Sequence, residues 1–233
     1  MLTLDQVKSK SATRLKGLHP AVLAAATALI ERSYTRGVPI LITQGLRTIA
    51  EQEGLYAQGR TKPGKIVTNA RGGYSYHNFG LSIDFALLLP NGSSVSWDTT
   101  RDGDSDKTTD WMEVVQEAKA LGFEWGGDWT TFKDYPHFQM SFGLNTAQLR
   151  AGVKPTETQI AVVLAKIDRY LKEAEKVNKD VKVDVYVNGV KVGDGVLDAG
   201  VTYTPTRAVA EALGATVAWD KDKLRVDINK GAK

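Results

Sequence analysis

The sequence predicts an α+β fold in two parts, and three observations predict it. Helical and strand-like periodicities are interspersed over the first 150 residues, apolar residues at helical spacing follow Pro155, and short alternating strands dominate from residue 181. At 233 residues the chain suits one domain plus a small one. The division expected is a main domain over 1–150, a linker helix over 151–180 and a small α+β module over 181–233.

Each element has its own signal. Over residues 20–36, Val22, Leu23, Ala26, Leu29 and Ile30 recur at helical spacing and Gly37 supplies a stop, which predicts an amphipathic helix. Residues 38–43 form a short β-branched run ending in Gln44-Gly45, a buried strand that leads into a turn with Arg47 just beyond it. A polar helix over 49–58 and a Gly-, Lys- and Pro-rich loop over 59–73 come next. Residues 81–89 read as a strand whose period of two sends Ser82, Asp84 and Ala86 to one face and Ile83, Phe85 and Leu87 to the other. A long polar loop is expected over 91–110, then a helix over 111–121 stopped by Gly122. Residues 137–142 alternate again, with His137, Gln139 and Ser141 on one face and Phe138, Met140 and Phe142 on the other. In the linker, Ile160, Val163, Leu164, Ile167, Leu171 and Ala174 follow helical spacing among Lys and Glu. Beyond it, 183–187 and 224–228 read as strands around a short helix over 206–213 that Gly214 stops.

Composition excludes several classes of function. Thirty Lys+Arg stand against 27 Asp+Glu, and the balance is even along the chain: 16 and 15 in 1–150, 6 and 5 in 151–180, 8 and 7 in 181–233. No segment offers the basic tract that phosphate-backbone binding needs, so no nucleic-acid partner is expected. The absence of cysteine excludes disulfides, thiolate metal sites and a Cys nucleophile. Nowhere do about 18 apolar residues run together, and the N-terminal stretch has no apolar core behind its basic residues. Neither membrane insertion nor a signal peptide is expected, although a mature form stripped of its signal would read the same way.

Two of the three histidines stand beside carboxylates. In Ser75-Tyr76-His77-Asn78-Phe79-Gly80-Leu81-Ser82-Ile83-Asp84, a turn histidine precedes a glycine bend and a strand-borne carboxylate. In Asp134-Tyr135-Pro136-His137, a carboxylate precedes a strand-opening histidine, with Pro136 fixing the backbone between them. Two neutral imidazoles and one carboxylate leave a zinc ion a net charge of about +1 and an open fourth position, as in catalytic rather than structural sites. A further carboxylate can then act as base, and Arg47 can polarise a carbonyl or stabilise an oxyanion. Read singly, the same residues have plainer uses. Asp84 fits a solvent-face strand residue, Asp134 a turn former, Arg47 an ion-pair partner and His19 the lead into the first helix. Periodicity alone does not bring His77 and His137 together.

Residues 75–84 closely resemble the S-x-H-x-x-G-x-A-x-D motif of the metallopeptidases that include L-alanyl-D-glutamate endopeptidases and D-alanyl-D-alanine carboxypeptidases and dipeptidases, and DYPHFQ at 134–139 resembles their second motif. The stretches ILITQGLRT, YAQGRT, VTNARGGYSYHNFGLSIDFAL and GFEWGGDW look most like the L-alanyl-D-glutamate branch found in Bacillus cell-wall hydrolases and phage endolysins. The resemblance covers about residues 15–145. It implies a zinc peptidase core with a small antiparallel sheet flanked by helices, peptidoglycan as partner, and cleavage of the L-Ala–D-Glu bond of the stem peptide. It also implies zinc ligands at His77, Asp84 and His137, a catalytic base at Asp134, a catalytic arginine at Arg47, and Ser75 seating the substrate or the ligand loop. Trp125 and Trp129 are candidates to line the cleft, Trp129 as a substrate-binding residue, with buried core the alternative for at least one of them. One departure is visible: Ser82 replaces the motif's Ala, a hydroxyl for a hydrogen, which adds little bulk.

The C-terminal stretches VYVNG and GVTYTPTRAVAEALGATVAWD resemble the copper amine oxidase N-terminal-like, or stalk, domain. No His, Cys or Met lies between Val181 and Lys233, so copper ligation there has no supporting residues. A wall-docking or spacing role and a passive stabilising or dimerising role both stand for this module. For the whole chain, two alternatives accompany the endopeptidase reading: a D-Ala-D-Ala carboxypeptidase using the same ligands, and a non-catalytic wall-binding protein, which the intact residue set argues against. A wall-directed core without a signal peptide fits a phage endolysin made in the host cytoplasm, with a bacterial autolysin whose signal was removed as the alternative. The linker's few heptads leave the oligomeric state open.

Overall fold

The computed structural model describes residues 2–179, 181–198, 201–220 and 225–230. The chain divides into two compact units, Met1–Tyr170 and Leu171–Lys233, and the division falls inside one long helix.

The first unit opens with α1 (Leu4–Ser11), a helix that apolar spacing does not announce. Its signal is a capping box, in which Thr3 accepts from the Gln6 backbone N–H while the Gln6 side chain accepts from that of Thr3. In α2 (Pro20–Thr35), His19 caps the N-terminus by accepting from the Ala21 N–H, and Pro20 occupies the first position, where its missing N–H costs nothing. Then come β1 (Ile40–Gln44) and α3 (Ile49–Ala57), the latter held by a Thr48/Glu51 capping box. Val38 and Pro39 stay outside the strand, since Pro39 has no N–H to give, yet its carbonyl accepts from Leu88 N. A one-turn 3₁₀ helix (Tyr76–Phe79) leads into β2 (Ser82–Leu88). The expected loop over 91–110 contains a two-residue strand, β3 (Val95–Ser96), and gives up Asp110 to α4 (Asp110–Ala120). After β4 (Glu124–Trp125) and a 3₁₀ turn (Gly126–Asp128), β5 spans only His137–Gln139. The alternation expected to continue to Phe142 stops because Phe142 sits at φ +52°, which a strand cannot carry. A short α5 (Thr146–Arg150) and the long α6 (Glu157–Lys179) follow.

The sheet is antiparallel and centred on β2. Along one edge lies β1; β5 and β3 divide the other, β5 beside residues 82–84 and β3 beside Leu87 and Leu88, with β4 outside β5. On one face Phe85 packs against Trp111 of α4, ring centroids 4.4 Å apart, and stacks on Phe138 at 5.0 Å. The other face carries Ser82, Asp84 and Ala86, and Ser82 and Ala86 are fully buried too, so β2 is covered on both sides around its one carboxylate.

In the second unit, β6 (Val181–Val187), β7 (Val190–Asp198) and β8 (Val201–Tyr203) form an antiparallel sheet. The turn between β6 and β7 is Asn188-Gly189, both at positive φ, as a two-residue hairpin requires. After α7 (Thr206–Ala212), β9 (Ala215–Asp220) pairs with β10 (Arg225–Lys230). The strand expected over 224–228 corresponds to β10, Leu224 lying outside the described residues. Among the described residues no helix is long and apolar enough to cross a membrane.

Candidate active site

Antiparallel register places Asp84 directly opposite His137, so the two side chains meet on one face of the sheet. His77 arrives from the turn just before β2. Ser75 caps that turn by accepting from the His77 N–H at 3.4 Å, Asn78 closes the capping box, and Gly80 ends it at φ +67°. A Cβ on Gly80 would lie 2.6 Å from the Gly17 carbonyl oxygen, so the motif glycine is demanded both by its φ and by close backbone approach.

Three atoms converge. His77 Nε2 is 3.1 Å from Asp84 Oδ1 and 3.2 Å from His137 Nδ1, and His137 Nδ1 is 3.1 Å from the same Asp84 oxygen. Two ligands on one tetrahedral zinc at about 2.0–2.1 Å would stand about 3.3 Å apart, so the triangle has the size of a single small ion's coordination face. The opposite ring nitrogens are already committed. His77 Nδ1 lies 2.8 Å from the Gly45 carbonyl, and His137 Nε2 lies 3.1 Å from Gln139 Oε1. The Gln139 amide is itself oriented, because its Nε2 donates to Glu124 Oε2 at 2.9 Å. With their protons placed there, both neutral imidazoles turn lone pairs toward a carboxylate oxygen. Three acceptors facing one another call for a cation, or for an extra proton in its place.

The electrostatics agree. Burial works to raise the Asp84 carboxyl, but His77 and His137 outweigh it and hold the group well below the usual carboxylate range. Burial pushes the His137 imidazole down, and hydrogen bonding and charge from Asp84 more than reverse this, so it ends raised. Arg47 donates through Nη2 to Asp84 Oδ2 at 3.4 Å and through Nη1 to Gln52 Oε1 at 2.8 Å. It thereby takes the outer carboxylate oxygen and leaves Oδ1 to the triangle.

Asp134 sits one turn ahead of β5, its carbonyl accepting from His137 N and its own N–H donating to the Gly126 carbonyl. The turn packs so closely on Gly126 that a Cβ there would stand 2.4 Å from the Asp134 carbonyl oxygen. Burial, with the nearby Asp84 charge, pushes the Asp134 carboxyl up. The metal-candidate triad, Asp134, Arg47, Ser75 and Trp129 all border one cleft of about 600 Å³. Trp129 is half-buried with its ring 5.3 Å from that of His137, whereas Trp125 is core, its Nε1 donating to the Tyr135 carbonyl at 2.7 Å. Sequence reasoning passed over Gln139, Glu124, Gly45 and Gln52. Alternation had put Gln139 on the His137 face, which was signal enough to find it; the others carried none.

Two imidazoles and a carboxylate around one point, with a half-buried carboxyl beside them in an open cleft, define the donor set of a mononuclear metallohydrolase. Comparison with known proteins narrows that class. Residues 68–140 match the family described as D-alanyl-D-alanine carboxypeptidase, and residues 186–233 match the copper amine oxidase N-terminal domain. The chain is 56% identical over 123 residues to the peptidoglycan L-alanyl-D-glutamate endopeptidase CwlK of Bacillus subtilis, a match covering 53% of this chain and 73% of that protein. It is 34% identical over 134 residues to the L-alanyl-D-glutamate peptidase of Listeria phage A118, covering 58% of this chain and 42% of that one. Among solved structures, the Serratia marcescens L-Ala D-Glu endopeptidase ChiX is 26% identical at a TM-score of 0.42, over 58% of this chain and 89% of its own. The chain belongs to the family of peptidoglycan L-alanyl-D-glutamate endopeptidases.

Proposed function

We propose that the protein hydrolyses the L-Ala–D-Glu bond of the peptidoglycan stem peptide, with zinc held by His77, Asp84 and His137. The observation that carries this reading is the triangle of three acceptor atoms whose outward ring nitrogens are committed to Gly45 and Gln139. The choice of bond rests on the activities for which the Bacillus and phage relatives are named. Zinc held there would supply Lewis acidity toward water and the scissile carbonyl.

The chain's own residues do the remaining work. Asp134 accepts a proton from the attacking water and returns it to the amine of the departing D-Glu. A carboxyl already pushed up by burial suits a group that must hold a proton in mid-reaction. Arg47 fixes Asp84 through its outer oxygen and brings fixed positive charge to the cleft where the oxyanion develops. Ser75 caps the turn that carries His77, and Trp129 walls the cleft beside His137. Asp134→Ala should keep the metal and slow hydrolysis by roughly 10²–10⁴-fold; undiminished turnover would remove the residue from the mechanism. His77→Ala or Asp84→Ala should instead lose the metal, as read by elemental analysis of the purified protein.

A second reading has one observation in its favour, the match of residues 68–140 to the D-alanyl-D-alanine carboxypeptidase description. It uses the same centre and differs in product, free D-Ala. Because every proposed site residue falls between Arg47 and His137, we assign catalysis to 1–150, a linker to 151–180 and wall docking to 181–233. Sedimentation with purified sacculi tests the last assignment: the full chain should be retained and a chain ending at 150 released. A lytic role in phage release is supported by the likeness to the phage A118 peptidase. Purified protein added to cells whose outer layers expose the wall should lyse them, and intact turbidity would count against that role.

A further inference from the structure

A second acidic centre lies outside the cleft, in the segment that leads into α4. Asp102, Asp104, Asp106, Asp110 and Glu113 occupy positions 1, 3, 5, 9 and 12 of one twelve-residue run. That is the ligand spacing of a calcium loop entering a helix, where position 7 adds a backbone carbonyl, here of Thr108, and the position-12 glutamate binds through both oxygens. Lys107 stands at position 6, where such loops have glycine to turn through the left-handed region. Its φ is nevertheless +75°, so the chain makes the turn.

The fold brings these carboxylates together. Asp102, Asp104 and Asp110 offer ligand oxygens that all lie within 4.8 Å of one another; so do Asp104, Asp106 and Glu113, with Asp104 common to both sets. Two oxygens on one calcium ion, each about 2.4 Å away, stand at most about 4.8 Å apart. Oxygens grouped within that limit can share one large, oxygen-liganded cation. Loop N–H groups of Ser105 and Lys107 donate to Asp102, and that of Gly103 donates to Asp110, so the loop is shaped in advance of any ion.

Glu113 supplies the independent observation. The residue is 2% exposed, and Arg36 Nε donates to its Oε1 at 3.0 Å, yet its Oε2 is buried with no hydrogen-bond partner among the described residues. Buried polar atoms are almost always satisfied, and this one belongs to a carboxylate grouped with Asp104 and Asp106. Burial and the charges of those two aspartates push the Glu113 carboxyl up, against the pull of Arg36. Arg101 pairs with Asp110 at 3.1 Å, so Arg36, Arg101 and the loop's own Lys107 leave the five carboxylates in excess.

We propose that residues 102–113 form a binding site for a divalent cation of the calcium type, held by Asp102, Asp104, Asp106, Asp110, Glu113 and the Thr108 carbonyl. The bound cation ties the loop to the start of α4. The next residue, Trp111, packs on Phe85, whose neighbour in β2 is Asp84, so the loaded site braces the core beneath the cleft.

The test is calorimetric titration of the zinc-loaded full chain with calcium chloride and, separately, magnesium chloride, with terbium luminescence excited through Trp111 as a second readout. One calcium per chain is expected, bound more tightly than magnesium, with a dissociation constant below about 1 mM. Asp104→Asn with Asp106→Asn, both at exposed positions, should weaken binding at least roughly 100-fold while the fold, followed by circular dichroism, is retained. Glu113→Gln should weaken it similarly. Absence of heat and luminescence at millimolar calcium, tighter magnesium binding, or unchanged affinity in the double variant would each overturn the proposal. None of these outcomes bears on the peptidase reading, because activity is not the readout.

Discussion

Replacing Gln139 by Leu should weaken the metal centre without touching any proposed ligand. Gln139 is 7% exposed, its Oε1 lies 3.1 Å from His137 Nε2, and its amide is held by Glu124. A metal on His137 Nδ1 obliges the imidazole to keep its proton on Nε2, and in the Leu variant that buried N–H loses its acceptor. The metal-free protein escapes the penalty by placing the proton on Nδ1, where Asp84 Oδ1 at 3.1 Å accepts it. Wherever the metal-free imidazole is neutral, the cost therefore falls on the metal-bound state. One unsatisfied buried donor costs about 1–3 kcal/mol, and losing such an orienting partner typically lowers metal affinity by about 10–100-fold. Competition against a chromogenic zinc chelator at neutral pH measures the change, with the melting temperature of the metal-free protein followed alongside. Unchanged zinc affinity would refute the idea that Gln139 sets the tautomer. An equal loss of metal-free stability would locate the effect in packing instead.

Further expectations follow from single contacts. Ser82 Oγ is buried without a partner among the described residues, so Ser82→Ala, which restores the motif's small residue, should stabilise the protein by about 1 kcal/mol and raise its melting temperature by about 2–4 °C; a lower melting temperature would contradict this. Gly126→Ala would set a Cβ 2.4 Å from the Asp134 carbonyl oxygen and 3.2 Å from His137 Cβ, displacing the base and lowering kcat by roughly 10²-fold; wild-type kcat would show that the turn tolerates the shift. Because the metal-free His137 is raised above its ordinary value, acid keeps a proton on the nitrogen that the metal needs. Zinc affinity should therefore fall about tenfold per pH unit as pH drops through that value, and a flat affinity between about pH 5 and 7 would count against His137 as a ligand.

Local pattern made part of the site legible and tertiary pairing hid the rest. Alternation along residues 81–89 and 137–142 put Asp84 and His137 on chemistry-bearing faces, but their meeting depends on the β2–β5 register, which no periodicity encodes. The two motifs bridged that gap by resemblance. Gly45 and Gln52 act through His77 and Arg47, neighbours that are close in space only once β1 and α3 are assembled. α1 was missed because its buried face is only Val7 and Ser11, and its capping box was the overlooked signal. β7 was missed because Gly193 and Gly195 interrupt its alternation and carry little strand preference. The acidic run over 102–113 crosses the boundary between loop and α4 at Asp110, so a loop-by-loop reading divides its twelve-residue spacing.

Mass spectrometry of the soluble products from purified Gram-positive peptidoglycan, digested with the zinc-loaded protein and with a chelator-treated control, tests the central claim most directly. Stem peptides that begin at D-Glu, released only without chelator and leaving L-Ala on the glycan, are the expected result. Free D-Ala as the product would move the activity to the stem terminus, and release undiminished by chelator would contradict the metal centre built from His77, Asp84 and His137.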